Sequence, residues 1–305
     1  MLAFLPHRIR GALVILLIIC STVIQFPFLM VASLLKLAIP WRPSRKLFTE
    51  IVTAIAFNWI NINCWLLSQA TARQNWVVEG ADTLRQDQWY LITCNHQSWA
   101  DILIVQDILR KRAPFLKFFL KQELIWVPVI GVAWWALDFP FMKRYTQAQI
   151  KKNPELKGKD LETTRKACEI FRFTPVSVFN FMEGTRLTPE KHRHQNSPYK
   201  HLLKPKAGGT AFVLGAMGND LKTLVNITIY YPYTNPGFWQ LLCGQIETVY
   251  IHIEEIRIPD EFLNRDYMSD DGFREAFQLW VGDLWQKKDD LLESLQQQHG
   301  KKTLR

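Results

Sequence analysis

Residues 89–101, WYLITCNHQSWAD, pass from an apolar β-rich run through a short polar turn into a helical pattern. A strand that hands over to a helix in this way is the repeating unit of α/β folds, and its C-terminal end is where such folds place functional groups. His96 stands five residues before Asp101. On one continuous helix, five steps of about 100° would set the two roughly 140° apart. They meet only if His96 stays in the loop and folds back over the first helical turn. Asp101 then accepts a hydrogen bond from one ring nitrogen, fixing the tautomer and supporting positive charge on the imidazole. The other nitrogen is left to take a proton from a hydroxyl. Such a dyad has no enzyme nucleophile, because the attacking oxygen belongs to the substrate.

The same alternation extends outward in both directions. Strands are expected at Trp89–Cys94, Phe115–Leu120, Phe139–Met142, Val176–Phe181, Leu224–Tyr231 and Val249–Ile258. Helices are expected at Ala100–Arg112, Glu123–Ala136, Leu161–Phe173 and Ala207–Met217, with polar Gln147–Lys159 as a surface loop. This pattern predicts an α/β fold with a mixed, largely parallel sheet flanked by helices. Asp270–Gln298 reads as one amphipathic helix. Phe273, Phe277, Trp280, Leu284, Leu291 and Leu295 fall near its packing face, with Lys and Asp opposite.

Upstream lies a different texture. Gly11–Leu35 carries no charge over 25 residues, and about 20 suffice to cross a bilayer as a helix. Pro27 sits inside it and is expected to kink it. A second apolar segment, Ile51–Leu67, is softened by Asn58, Asn61 and Asn63. Residues 1–70 are therefore read as a membrane anchor and 71–305 as a catalytic domain. Either the first segment spans and the second lies at the interface, or the two form a helical hairpin dipping into one leaflet. Arg8 and Arg10 precede the first segment and Lys36, Arg42, Arg45 and Lys46 follow it. These basic flanks mildly favour the hairpin, with both ends in the cytoplasm.

The net charge of +9 points to anionic partners. No helix-turn-helix, cysteine finger or RNA-reading aromatic motif accompanies it, so lipid headgroups are the better reading than nucleic acid. The five cysteines, Cys20, Cys64, Cys94, Cys168 and Cys243, form no close pair and suit a reduced, cytoplasm-facing protein. His192, His194 and His201 cluster beside Lys191 and Arg193, but no acidic or thiol ligand joins them. A solvated basic loop is the simpler reading, and no metal is expected.

A second motif, Phe181-Met182-Glu183-Gly184-Thr185-Arg186, again closes a strand. Glycine allows close backbone approach, and the arginine fork suits phosphate oxygens. Together the two motifs resemble the glycerolipid acyltransferases, the family containing bacterial PlsC and the eukaryotic lysophosphatidate and lysocardiolipin acyltransferases. Asn95-His96 to Asp101 resembles their His-x-x-x-x-Asp signature, and Phe181–Arg186 their Phe-x-Glu-Gly-Thr-Arg motif. Between them, Lys121, Leu124, Pro128, Gly131 and Phe141-Met142-Lys143-Arg144 resemble the family's intermediate block. The order agrees across roughly residues 76–231. A strand without proline at Leu224–Ile229, with the Phe-Met-Lys-Arg form, looks closer to the lysocardiolipin branch and to the bacterial PlsC paralogues called YihG.

The resemblance implies an acyltransferase fold preceded by a membrane-embedding helix pair, in a protein of the bacterial inner membrane. It implies His96 as general base and Asp101 as its orienting partner. Arg144 and Arg186 would hold the acceptor phosphate, in a pocket shaped by Glu183, Gly184 and Thr185. The implied acceptor is a lysophospholipid such as 1-acylglycerol-3-phosphate, lysophosphatidylglycerol or lysocardiolipin. The donor would be an acyl thioester on CoA or acyl carrier protein, with no other cofactor. Two rivals stand beside this reading: a lipid or thioester hydrolase, disfavoured by the lack of a Gly-x-Ser-x-Gly elbow, and a non-catalytic lipid-binding protein.

Overall fold

In the computed structural model the chain opens with two long helices, α1 (His7–Ala38) and α2 (Arg42–Ala70). The strands that follow are β1 (Trp76–Glu79), β2 (Tyr90–Cys94), β3 (Leu116–Phe118), β4 (Leu120–Lys121), β5 (Phe141–Met142), β6 (Ser177–Asn180), β7 (Thr223–Tyr230) and β8 (Val249–Arg257). Between and after them come α3 (Ala100–Leu109), α4 (Ile130–Ala136), α5 (Pro189–His194), α6 (Ala207–Met217), α7 (Phe238–Leu242) and α8 (Asp271–His299). The structure describes residues 2–39, 41–71, 75–118, 120–139, 141–142, 168, 171, 174–233, 236–267 and 269–300.

Six strands form one sheet in the order β1-β8-β7-β2-β6-β3, and β4 and β5 form a small separate pair. Every pairing is parallel except that of β7 with β8. All five residues of β2 are buried, as befits a central strand covered on both faces. Its side chains alternate between two cores. Ile92 faces α3, α7 and the start of α1, among Ile104, Leu241 and Val14. Leu91 faces α6 and α8, among Leu214 and Phe277. β1, a four-residue edge strand with every second side chain exposed, carries too short a pattern to be expected from sequence.

The helix pair is docked on the body, not hung from it. Val14, Leu67 and Ala70 belong to the core under the sheet. Buried Arg10 donates from Nη1 to the carbonyls of Ala70 (3.3 Å) and Cys243 (3.4 Å) and from Nη2 to Leu5 (3.0 Å). Within the pair, Trp59 donates to Thr22 Oγ1 (3.0 Å) and Asn58 to Gln25 (3.1 Å), so the softening polar residues act as cross-links. The outer face of α1 keeps Leu16, Ile19, Val23 and Phe28 exposed. His7–Ala38 and Lys46–Ala70 are each long and apolar enough to cross a membrane. α1 continues through Pro27, which removes one N–H donor without ending the helix.

Two expectations need correction. The single helix expected over Glu123–Ala136 is a 3-10 turn, Gln122–Trp126, followed by α4. Pro128 disfavours helical geometry at the residue before it, and Val129 sits at φ 66°. Gly131 closes the bend, because a Cβ there would lie 2.3 Å from the Ile125 carbonyl oxygen. On the C-terminal helix, Lys288 and Asp289 are buried rather than on the solvent side. The loop Gln147–Lys159 lies outside the described residues, as does the helix Leu161–Phe173 apart from residues 168 and 171.

Gly244 ties the helix pair to α7. Its φ is +72°, and a Cβ would stand 2.0 Å from the Ala70 carbonyl oxygen. The left-handed conformation alone costs a side-chain-bearing residue roughly 1–2 kcal/mol. Gly244→Ala is therefore expected to lose more than this, read as a lowered unfolding midpoint in detergent.

Candidate active site

The C-terminal ends of three neighbouring strands, β7, β2 and β6, converge on one spot. As β2 ends, the Asn95 side chain takes over its ladder. Nδ2 donates to the Ile229 carbonyl (2.9 Å), and Oδ1 accepts the Ile229 N–H (2.8 Å). This frees the next residue, His96, to leave the sheet. Asp101 enters on the first turn of α3, and its carboxylate is fully buried. Oδ2 accepts the backbone N–H groups of Gln97 (2.7 Å) and Ser98 (2.9 Å) and meets His96 Nδ1 at 2.9 Å. Oδ1 accepts the Tyr231 hydroxyl at 2.6 Å. Four partners satisfy a charge that burial would otherwise penalise severely. Burial first, then the Asp101 charge, pushes the Tyr231 hydroxyl well above its usual range, so it stays a donor.

With Nδ1 committed to Asp101, His96 Nε2 is left to face a substrate. The ring stacks on Phe181, centroids 3.9 Å apart at 15°, and meets Trp99 edge-on at 6.5 Å. The two sequence motifs are stitched together by bonds to the His96 backbone. His96 N–H donates to Glu183 Oε1 (3.2 Å), and the His96 carbonyl accepts from Leu187 N–H (2.7 Å). Glu183 Oε2 also accepts Leu203 N–H at 3.4 Å. The carboxyl of Glu183 is thus turned into the protein, where it shapes the loop. Its burial raises its pKa to about 8, opposed by the two N–H donors and the Lys288 cation.

Gly184 adopts φ +69°, and Lys206 lies across it, with Nζ 3.3 Å from where a Cβ would be. Thr185 Oγ1 accepts from Lys191 Nζ (2.7 Å), and the Arg186 guanidinium stacks 4.8 Å over the Trp99 ring. Arg186, Lys191 and Lys206 thus all belong to or touch the Gly184–Arg186 loop, and cations of this kind suit a phosphate. Arg144 and Lys143 lie outside the described residues. Tyr231, Asn95 and Lys206 were given no role by the sequence patterns. The first two depend on pairings that only the sheet order creates. Lys206 stands immediately before the helix that starts at Ala207.

His96, Trp99 and Phe181 also line an apolar cavity of about 470 Å³. It runs between the sheet and the helix pair, with Leu29 of α1, Ala56 of α2 and Phe139 on its walls. Elsewhere, His192 Nε2 meets the Tyr199 carbonyl at 2.7 Å and His201 meets Glu293 at 2.6 Å, so these histidines are engaged in the fold. Among the described residues no cluster suited to a metal ion is present.

Glu183→Gln tests the buried carboxyl. Its pKa rises from 4.5 to about 8 on folding, so the folded state binds more protons in that window. The contribution is complete below 4.5 and is lost as pH climbs towards 8. Wild-type stability is expected to fall across that range relative to Glu183→Gln, measured by thermal unfolding at successive pH values.

Three comparisons bear on this geometry. The family model described as Acyltransferase matches residues 75–229. Lysocardiolipin acyltransferase 1 of Mus musculus is 26% identical over 72% of this chain and 58% of its own length. The human 1-acyl-sn-glycerol-3-phosphate acyltransferase delta is 24% identical over 83% of this chain and 66% of its own. The chain thus spans under two thirds of each of these relatives. The crystal structure of the 1-acyl-sn-glycerophosphate (LPA) acyltransferase PlsC from Thermotoga maritima shares the fold, with a TM-score of 0.51. It covers 92% of this chain and 98% of that one at 17% identity.

Proposed function

The chain belongs to the acyltransferase family, and we propose that it moves a fatty acyl chain from an acyl thioester to the free hydroxyl of a lysophospholipid. The observation that carries this is the His96–Asp101 pair at an apolar cavity, with Arg186, Lys191 and Lys206 at the neighbouring Gly184–Arg186 loop as its cationic rim. His96 Nε2 takes the proton from the acceptor hydroxyl as the oxygen attacks the thioester carbonyl. The carbon–sulfur bond then breaks, and the leaving thiolate recovers the proton from the imidazolium. Asp101 holds the ring and stabilises its positive charge throughout. Arg186 and Lys206 bind the acceptor phosphate, with Gly184 keeping the approach open and Thr185 tethering Lys191. The acyl chain occupies the cavity between sheet and helix pair.

The relatives' names span lysophosphatidate and lysocardiolipin acceptors, and both carry the phosphate that the rim suits. CoA and acyl carrier protein are both anionic donors, in keeping with the positive net charge. Residues 1–70 serve as the anchor, with the cavity opening beside it so that lipid enters from the inner membrane and the catalytic body faces the cytoplasm.

The decisive assay supplies acyl-CoA, then acyl carrier protein, with lysophosphatidate, lysophosphatidylglycerol and lysocardiolipin, reading diacyl products by mass spectrometry. His96→Ala is expected to lower kcat by about 10²–10⁴-fold. No product from the wild type with any donor and acceptor pair would refute the reading. Thioester loss without an acceptor would point to hydrolysis instead. Lys206→Ala is expected to raise the acceptor KM by about tenfold, as the loss of one charge-assisted hydrogen bond implies, with less change in kcat. Ala56→Phe fills the cavity. It should shift selectivity towards shorter acyl chains by at least about tenfold in kcat/KM, the scale set by a methylene or more of misfit in an apolar pocket.

A further inference from the structure

The C-terminal helix carries a charge that the proposed mechanism leaves unused. Lys288 follows Val281, Leu284 and Trp285 along the buried stripe of α8 and is 1% exposed. An ammonium stripped of water destabilises the fold unless it finds partners. Its hydrogen-bond partners are both on β7. Nζ donates to the Ile227 carbonyl and to Thr228 Oγ1, the latter at 3.3 Å, and lies 5.4 Å from the centre of the Trp285 ring. The residues just beyond hold the site: Ile229 pairs with Asn95, and Tyr231 donates to Asp101.

α8 packs on the sheet face opposite α3, so the end of β7 is gripped from both sides. The charged or titratable groups that act on Lys288 are Cys94 on β2, Glu183 after β6 and Glu254 on β8. Glu183 in turn feels Asp101. Burial brings Lys288 down to about 8 and Glu183 up to about 8, and the pair offset one another. Neighbouring Asp289 is engaged elsewhere, accepting the N–H groups of Lys200 and His201 at 2.7 Å each.

We infer that Lys288 is a positioning residue of the active site, clamping the end of β7 from behind the sheet and supplying the cation that balances buried Glu183. Its consequence for rate rests on the acyl-transfer reading, whereas the electrostatic link does not. A hydrophobic residue of the same length would fill the space equally well, so packing alone gives no reason for a cation here.

A thermodynamic cycle on the full chain in detergent separates these roles. Wild type, Lys288→Met, Glu183→Gln and the double variant are unfolded thermally from about pH 6 to 9, which brackets both groups. Val281→Ala serves as a merely destabilised control. The expected result is coupling, with the double variant losing less than the sum of the single losses. In acyl transfer, Lys288→Met is expected to lose about tenfold or more in kcat, with the donor KM within about twofold, the scale of one charged hydrogen bond. In the unfolding series the pH at which the Glu183 contribution to stability is lost should move higher in Lys288→Met, because Glu183 ionises less readily without the cation. Lys288→Arg should hold that pH in place, and Val281→Ala should not move it. An additive cycle, or a Lys288→Met profile overlying that of Val281→Ala, overturns the inference. Absence of transfer by the wild type overturns the acyl reading instead, and the unfolding cycle still decides the coupling.

Discussion

Everything around the site depends on one buried carboxylate. Asp101 has no access to water, so its charge survives only through donors supplied by the protein. Those donors come from the loop after β2 and from the end of β7. The carboxylate therefore dictates that both strand ends, and the first turn of α3, sit within hydrogen-bond reach of one another. The His96 ring orientation follows from that convergence, with Phe181 as the wall behind it. A polar cluster of this kind tolerates little movement, because each partner removed leaves another unsatisfied.

The parallel sheet is what makes the convergence possible. β7, β2 and β6 run in the same direction, so their C-terminal ends lie along one edge. Tyr231, His96 and Glu183 each stand just beyond one of these ends. The chain contributes to the site three times, with crossover segments between the visits, and the bond from the His96 N–H to the Glu183 carboxyl closes two of those visits into one unit. The helix pair completes the other side, because the cavity walls come partly from α1 and α2. Anchor and catalytic body thus share both a core and a ligand space.

Much of this was legible in the sequence where the interaction is local. His96 and Asp101 are five residues apart, and a loop followed by a helix can bring them together in only one way. The strand–helix alternation likewise gives an α/β sheet, because its periodicity changes with each element. Tyr231 was not legible, since its partner lies 130 residues away and no pattern specifies strand order. Lys288 was misread for a different reason. Its spacing from Val281 and Leu284 places it in the apolar stripe, but a charge is ordinarily assigned to water unless buried acceptors, here on β7, are known to await it. The break at Pro128 was readable in principle, and the apolar run on both sides obscured it.

The order in which the chain is made adds a last constraint. α1 and α2 leave the ribosome first, yet the groups that receive them, Cys243 and Gly244, come more than two hundred residues after α1 and more than 170 after α2. Asp101 likewise waits for Tyr231, 130 residues behind it. At the usual pace of synthesis that is a delay of about ten seconds. During it the apolar inner face of α1, with Val14, Leu29 and Ala32, needs a lodging other than the finished protein, and a bilayer offers one. The earliest segments thus complete their contacts only with late ones, and the buried carboxylate lacks one of its donors until the end of β7 has been made.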